Sequence, residues 1–217
     1  MDIQLKNPNI IPLWKCANAK ACCMAIDGST VIHDKPGLLS RLREILNYEI
    51  EKGDTYPIES PLSLEEAEEY FFKYCTVICL EWDGHSPLPN LQTSTIDWKR
   101  MILGFFIIKP NYPSRCSHVC NGGFLVAPET RGRGIGRVLA YAFLYFAPRM
   151  GYKSSVFNLV FATNVASYKL WDSLGFTRVG VVRNAARLKG YPKLVDAYIY
   201  QYEFPPLNEE AETGATS

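Results

Sequence analysis

Phe124-Leu-Val-Ala-Pro-Glu-Thr-Arg-Gly-Arg-Gly-Ile-Gly136 is the stretch on which the reading of this chain turns. An apolar, strand-like run passes through a turn with glycines at 132, 134 and 136 and enters a helix that starts near Ile135. Backbone N–H groups in such a turn can point inward with no Cβ in the way, and the helix terminus adds its partial positive charge. In outline this is an anion site able to cradle a pyrophosphate, with Arg131 and Arg133 available as counter-charges. The spacing excludes two other phosphate loops. Gly-x4-Gly-Lys-Ser/Thr is absent, and the glycines fall at every second residue instead of in Gly-x-Gly-x-x-Gly. A glycine-rich turn without a ligand stays open at this point.

Outward from the turn, the apolar pattern alternates between strand and helix periods. Leu39, Leu42, Ile45, Leu46 and Ile50 recur at helical spacing over Leu38 to Glu51, with Gly53 as the stop. Ser63 followed by Glu66 forms a capping-box pattern before a second helix whose Ala67, Tyr70, Phe71 and Tyr74 can face a core. Strands are expected over Thr76 to Trp82, Met101 to Ile108 and Cys120 to Val126, the last two paired. A surface loop is expected over Asp83 to Thr95. Helix Val138 to Pro148, strand Phe157 to Phe161, helix Ala166 to Leu174 and strands Val179 to Val182 and Ala197 to Tyr202 complete the order. That order predicts an α/β (α+β) domain around a mixed sheet.

The 217 residues fit one domain, and 47% hydrophobic against 21% charged residues predicts a globular chain. A net charge of +1 leaves no basic footprint for nucleic acid and favours a small-molecule site. No apolar run is long enough to span a membrane, and Met1 to Trp14 fits neither a secretory nor a mitochondrial leader. Seven cysteines, with Cys22 and Cys23 adjacent, suit a reducing compartment, so a cytoplasmic location is expected. Cys116, His118 and Cys120 alternate in what reads as a strand. Side chains two apart on a strand lie about 7 Å from each other, too far for three in a row to converge on one ion, so no metal is expected.

Arg131-x-x-Gly134-x-Gly136, entered from Val126-Ala-Pro128, resembles the acyl-CoA pyrophosphate loop of GNAT acetyltransferases. A second hallmark lies downstream, where Asn164 is followed at family spacing by Leu170, Leu174, Gly175 and Phe176. The resemblance covers about residues 38 to 204 and implies the GNAT fold, a mixed central sheet flanked by helices. It places a single domain over 35–204 after an N-terminal segment over 1–34, and the polar, small-residue composition of 205–217 predicts a disordered tail. It implies acetyl-CoA as co-substrate, held by loop amides and by the preceding strand. Cofactor contact is thereby carried onto Leu125, Val126, Arg131, Gly132, Arg133, Gly134, Ile135, Gly136 and Asn164.

A narrower likeness rests on Phe106-Ile-Ile-Lys-Pro-Asn-Tyr, Arg115-Cys-Ser-His, Cys120-Asn, Gly123-Phe-Leu-Val, Gly151-Tyr-Lys, Phe157-Asn-Leu-Val-Phe, Thr163-Asn and Val195-Asp-Ala. These segments resemble the fungal N-acetyltransferases that detoxify azetidine-2-carboxylate. That resemblance implies an acceptor such as glutamate 5-semialdehyde, in equilibrium with pyrroline-5-carboxylate. It also implies a place in proline metabolism, detoxification and oxidative stress, a homodimer, and mitochondria as a second compartment.

Acetyl transfer needs a neutral amine, yet aliphatic amines titrate near about 10, so a base or a water relay must take a proton. Many family members carry a Tyr seven residues after the position of Asn164 as proton donor to the thiolate. Trp171 stands there, and Tyr168, one turn earlier, is the substitute candidate. The resemblance carries substrate contact onto Asn121 and Phe124, and pocket or cofactor contact onto Asn158 and Asn164. Asn121 is the first choice for orienting the acceptor and donating to a developing oxyanion. An Asn before a helix also caps it, which is an equal reading of Asn164. His118, Asp172 and Asp196 are candidate bases. Two other functions fit the same loop: a GNAT enzyme for a xenobiotic, polyamine or peptide, and a non-catalytic acyl-CoA-binding module.

Overall fold

The computed structural model describes residues 13–16, 19–26, 36–83 and 96–207. In chain order they form β1 (Leu13–Cys16), β2 (Ala19–Ile26), helices α1 (Pro36–Lys52) and α2 (Leu64–Phe72), β3 (Cys75–Glu81), the one-turn helix α3 (Trp98–Met101) and β4 (Ile102–Pro110). Then come β5 (Val119–Val126), α4 (Ile135–Arg149), β6 (Ser154–Phe161), α5 (Val165–Ser173), β7 (Thr177–Ala186) and β8 (Val195–Glu203). The eight described strands make one mixed sheet in the order β1-β2-β3-β4-β5-β6-β8-β7. Every join is antiparallel except β5–β6, which is parallel because α4 carries the chain over one face between them.

The central strands β3 and β4 are buried on both faces, so they read as continuous apolar runs. Cys79, Phe106 and Ile108 face α4, through Leu139, Phe143 and Phe146. Ile78, Phe105 and Ile107 face α1 and α2, through Leu42, Ile45 and Phe71. The apolar stripe predicted for α1 is observed, with Leu42, Ile45, Leu46 and Ile50 at most 1% exposed. The capping box is observed too: Ser63 Oγ accepts from Glu66 N at 3.1 Å, and Glu66 accepts from Ser63 N at 2.7 Å.

Several expectations change. Tyr74 lies beyond the end of α2 and is exposed, because the helix stops at Phe72 and the chain turns into β3. Cys116 sits in a one-turn 3-10 helix, Ser114–Cys116, and His118 in the turn after it, so the alternating trio does not share a strand. A short helix precedes the strand expected from Met101, and the Asp97 carboxylate caps it through Arg100 N at 3.2 Å. β1 and β2 extend the sheet into the stretch read as an N-terminal segment. Residues 84–95 of the expected loop and the tail from 208 lie outside the described residues. No described helix is long and apolar enough to cross a membrane.

One departure from regular pairing positions the site. β5 and β6 pair only at Val119↔Ser154 and Cys120↔Ser155. From Asn121 onward β5 stays on β4, with Lys109↔Asn121 and Phe106↔Phe124 in register, while β6 follows β8. The register of β6 on β8 slips between Phe157 and Val160, so Asn158 and Leu159 bulge out of the ladder. The two strands therefore splay apart, and the wedge between them opens the middle of the sheet.

Candidate active site

The first wall of the wedge is the turn from β5 into α4. Thr130 Oγ1 donates to Leu103 O at 2.7 Å and pins the turn to β4. Gly132 and Gly134 then adopt φ of 77° and 83°, left-handed values that favour glycine. Gly134 is the N-cap of α4 and supplies no side-chain cap, so the N–H groups of Ile135 and Gly136 remain available to a ligand, while that of Arg137 bonds Gly134 O at 3.1 Å. A groove of about 650 Å³ runs along this turn and the free edge of β5. Leu125, Val126, Arg131, Gly132, Gly134, Ile135 and Gly136 line it, with Asn164 on its far wall.

Arg133 does not line it. Its guanidinium turns away to Glu81 at 2.7 Å, so it is no counter-charge for the groove. Arg131 does line the groove but shares its charge with Glu49 and lies over the Tyr48 ring at 5.6 Å. Lys52, Arg137 and Lys169 add cations to the wall that sequence reasoning missed, since they come from three separate helices. Backbone donors, a helix N-terminus and several cations together suit a phosphate-bearing ligand.

A second cavity of about 360 Å³ fills the wedge itself. Asn121, Phe124, Asn158 and Asn164 all line it, so the structure brings the four together. Asn121 Nδ2 donates to Asn111 Oδ1 at 3.0 Å, and Asn111 and Asn158 exchange bonds at 3.2 and 2.6 Å. Asn111 was not singled out beforehand; it comes from the turn after β4 and enters only through these contacts. Phe124 forms the floor, its ring 5.2 Å from Phe106, 4.9 Å from Trp171 and 5.6 Å from Phe157. Thr55, Tyr56, Phe124 and Asn164 line both cavities, which therefore meet.

Comparison with known proteins matches this arrangement. The Acetyltransferase (GNAT) family profile fits residues 47–176. N-acetyltransferase aca1 of Schizosaccharomyces pombe is 58% identical over 94% of this chain and 99% of its own length. The chain belongs to the GNAT acetyltransferase family. Protein SPT10 of Saccharomyces cerevisiae is 31% identical over 81% of this chain, which spans 33% of that longer protein. A GCN5-related N-acetyltransferase from Kribbella flavida superposes with a TM-score of 0.64 at 27% identity, covering 83% of this chain and 97% of that one. The GNAT fold is also shared with yncA from Salmonella typhimurium, solved with acetyl-CoA, at a TM-score of 0.63 and 17% identity over 86% of this chain and 95% of that one.

Within this GNAT site the proton chemistry differs from the sequence expectation. Tyr168 lines neither cavity; its ring packs edge-on against Tyr198 at 5.9 Å, with the Arg178 guanidinium 5.8 Å away. The cause is helical phase. Asn164, Ser167 and Trp171 share the cavity face of α5, and Tyr168 is rotated about 100° from Ser167. Trp171 is 3% exposed and donates its indole N–H to Ser167 Oγ at 3.0 Å. His118 is exposed outside both cavities. Asp172 accepts from Tyr200 at 2.7 Å, and Asp196 accepts from Asn184 N at 2.8 Å, so both serve the β7–β8 side. No candidate base reaches the wedge.

Tyr56 and Tyr70 reach it instead, with their hydroxyls hydrogen-bonded to each other. Burial holds Tyr56 well above the usual tyrosine value, with Tyr70 adding to the effect, and burial raises Tyr70 as well. Both stay protonated and can act as donors. No motif marks Tyr56, which sits in the irregular connection between α1 and α2. Asn164 caps α5 by accepting from Ser167 N at 3.2 Å through Oδ1. Its Nδ2 makes no bond to a described residue, so capping and ligand contact are compatible. Among the described residues no group of three or more His, Cys, Asp or Glu is placed to hold a metal.

Proposed function

We propose that this protein transfers the acetyl group of acetyl-CoA to the nitrogen of a small amino or imino acid. The proposed acceptors are glutamate 5-semialdehyde, as pyrroline-5-carboxylate, and its toxic analogue azetidine-2-carboxylate. The observation that carries the reading is the wall of Thr55, Tyr56, Phe124 and Asn164 shared by a phosphate-suited groove and a 360 Å³ cavity. Donor and acceptor bound on either side of such a wall are in reach of each other, which favours direct transfer in a ternary complex.

Acetyl-CoA, when bound, supplies the activated acyl carbon. The groove's turn and β5 edge fit its pyrophosphate and amide-bearing arm, and the small cavity fits an acceptor of a few heavy atoms. Asn164 Nδ2 and Asn121 offer donors to a developing oxyanion, and Asn111 and Asn158 fix the orientation of Asn121. His, Asp and Glu are absent from the described lining of the acceptor cavity, so the proton displaced from the nitrogen leaves through water. A GNAT domain over 35–204 and a homodimer belong to the same reading, on the resemblance described above.

Thiol release from acetyl-CoA with azetidine-2-carboxylate, spermidine and a short peptide, with mass spectrometry of the products, tests it. Acetylation of the imino acid alone is expected. Activity confined to spermidine or the peptide contradicts the acceptor assignment.

A further inference from the structure

Lys109 lines the acceptor cavity directly across the β4–β5 ladder from Asn121. Opposed residues on neighbouring strands present their side chains on one face, with Cβ atoms about 5 Å apart, so this ammonium and the Asn121 amide serve the same space. Lys109 is half-buried, and its ammonium makes no hydrogen bond or ion pair with a described residue. It is the one cation among the described residues lining this cavity, and no described Asp, Glu or His joins it there.

The surroundings leave its charge uncompensated. Tyr56 and Tyr70 are held neutral by burial. Glu66 and Glu69 share a separate shallow groove with Lys109, but both are committed elsewhere. Glu66 accepts from Ser63 N at 2.7 Å, and Glu69 accepts from Lys73 Nζ at 2.8 Å. A partly desolvated cation without a counter-ion is unfavourable unless something completes it, and an anionic occupant of this cavity would do so.

We propose that Lys109 is a specificity-determining residue whose ammonium receives the carboxylate of the acceptor, while the Asn111–Asn121–Asn158 amides hold the remainder. This rests on the amino or imino acid reading above and adds a residue to it. The same charge repels polyamines, whose extra ammonium groups would meet Lys109 instead of a carboxylate.

The test compares azetidine-2-carboxylate with its primary amide, which keeps the ring and the nucleophilic nitrogen but loses the negative charge. Both are assayed with the wild type, Lys109→Gln and Lys109→Arg. Lys109→Gln should raise KM for the carboxylate about 10- to 100-fold, the range of a lost charge-assisted hydrogen bond. The KM for acetyl-CoA and the constants for the amide should stay near wild type, and Lys109→Arg should recover most of the loss. The carboxylate-to-amide ratio of kcat/KM is internal to each protein, so a variant that folds poorly still reports. A wild type that prefers the carboxylate while Lys109→Gln keeps the same ratio overturns the proposal alone. A wild type that uses the amide equally well, or neither compound, overturns the amino or imino acid reading and this assignment with it.

Discussion

Asn121 Nδ2 donates to Asn111 Oδ1 at 3.0 Å, which ties the first residue of the splay to the turn that leaves β4. The bond fixes which way the amide of Asn121 faces and leaves its second Nδ2 hydrogen, as well as its carbonyl oxygen, without a described partner. Asn121→Ala should therefore lower kcat/KM for the acceptor about 10²- to 10³-fold, the range for loss of one oriented polar donor. Loss of one part-buried hydrogen bond is worth about 1 kcal/mol, so thermal stability should barely change. Steady-state kinetics alongside a melting curve separates the two; parallel losses in both would assign Asn121 to the scaffold.

The two arginines of the glycine turn should behave differently. Arg131 lines the groove and pairs with Glu49, whose side chain is 9% exposed, whereas Arg133 pairs with Glu81 away from it. Arg131→Ala is expected to raise KM for acetyl-CoA and to destabilise the fold, since it leaves a buried carboxylate without its cation. Arg133→Ala removes a more exposed pair worth about 0 to 1 kcal/mol and should leave the acetyl-CoA KM within about twofold. Equal KM effects would return Arg133 to the cofactor site.

Tyr168 and Trp171 test the helical phase of α5. Tyr168→Phe should leave kcat and its pH profile unchanged, because the hydroxyl does not reach either cavity. Trp171→Ala removes a ring packed on Phe124, Phe157 and Phe176, and should destabilise by about 3 to 5 kcal/mol in urea denaturation. A strong kcat loss in Tyr168→Phe would restore it as a proton donor.

Alkaline pH should weaken the fold through its buried thiols. Burial pushes Cys22 from 9.0 up to about 12, with Cys79 beside it adding to the rise, and burial also raises Cys120. Above about pH 9 the unfolded chain has released protons that the folded chain still binds. Stability is thus unaffected by these groups at neutral pH and falls as pH rises from about 9 towards 12, by about 1.4 kcal/mol per unit for each. Urea midpoints at pH 7.5, 9 and 10.5 should show the fall, and Cys22→Ala should make it shallower. A midpoint independent of pH across this range contradicts it.

What could be read beforehand was what local sequence encodes. The stripe of Leu42, Ile45, Leu46 and Ile50, the Ser63–Glu66 cap and the glycine turn are all set by residues within a few positions of each other. The motifs that contain Asn121, Phe124, Asn158 and Asn164 point to four residues that line one cavity. The misses come from longer range. Arg133 is turned by Glu81, 52 residues away, and the Tyr56 hydroxyl meets Tyr70 only once α1 and α2 have packed. Lys109 becomes informative only in register with Asn121. Tyr168 failed by one residue of helical phase, about 100°, which aromatic spacing alone does not resolve. β2 is rich in Ala and Cys, weak strand signals that pairing with β3 overrides.

Initial rates with acetyl-CoA and azetidine-2-carboxylate both varied test the central claim most directly. Two cavities meeting at Phe124 and Asn164 predict lines that intersect in double-reciprocal form, with one thiol released per acetylated imino acid. Parallel lines, or no thiol release with this acceptor at any concentration, would contradict direct transfer between the two cavities.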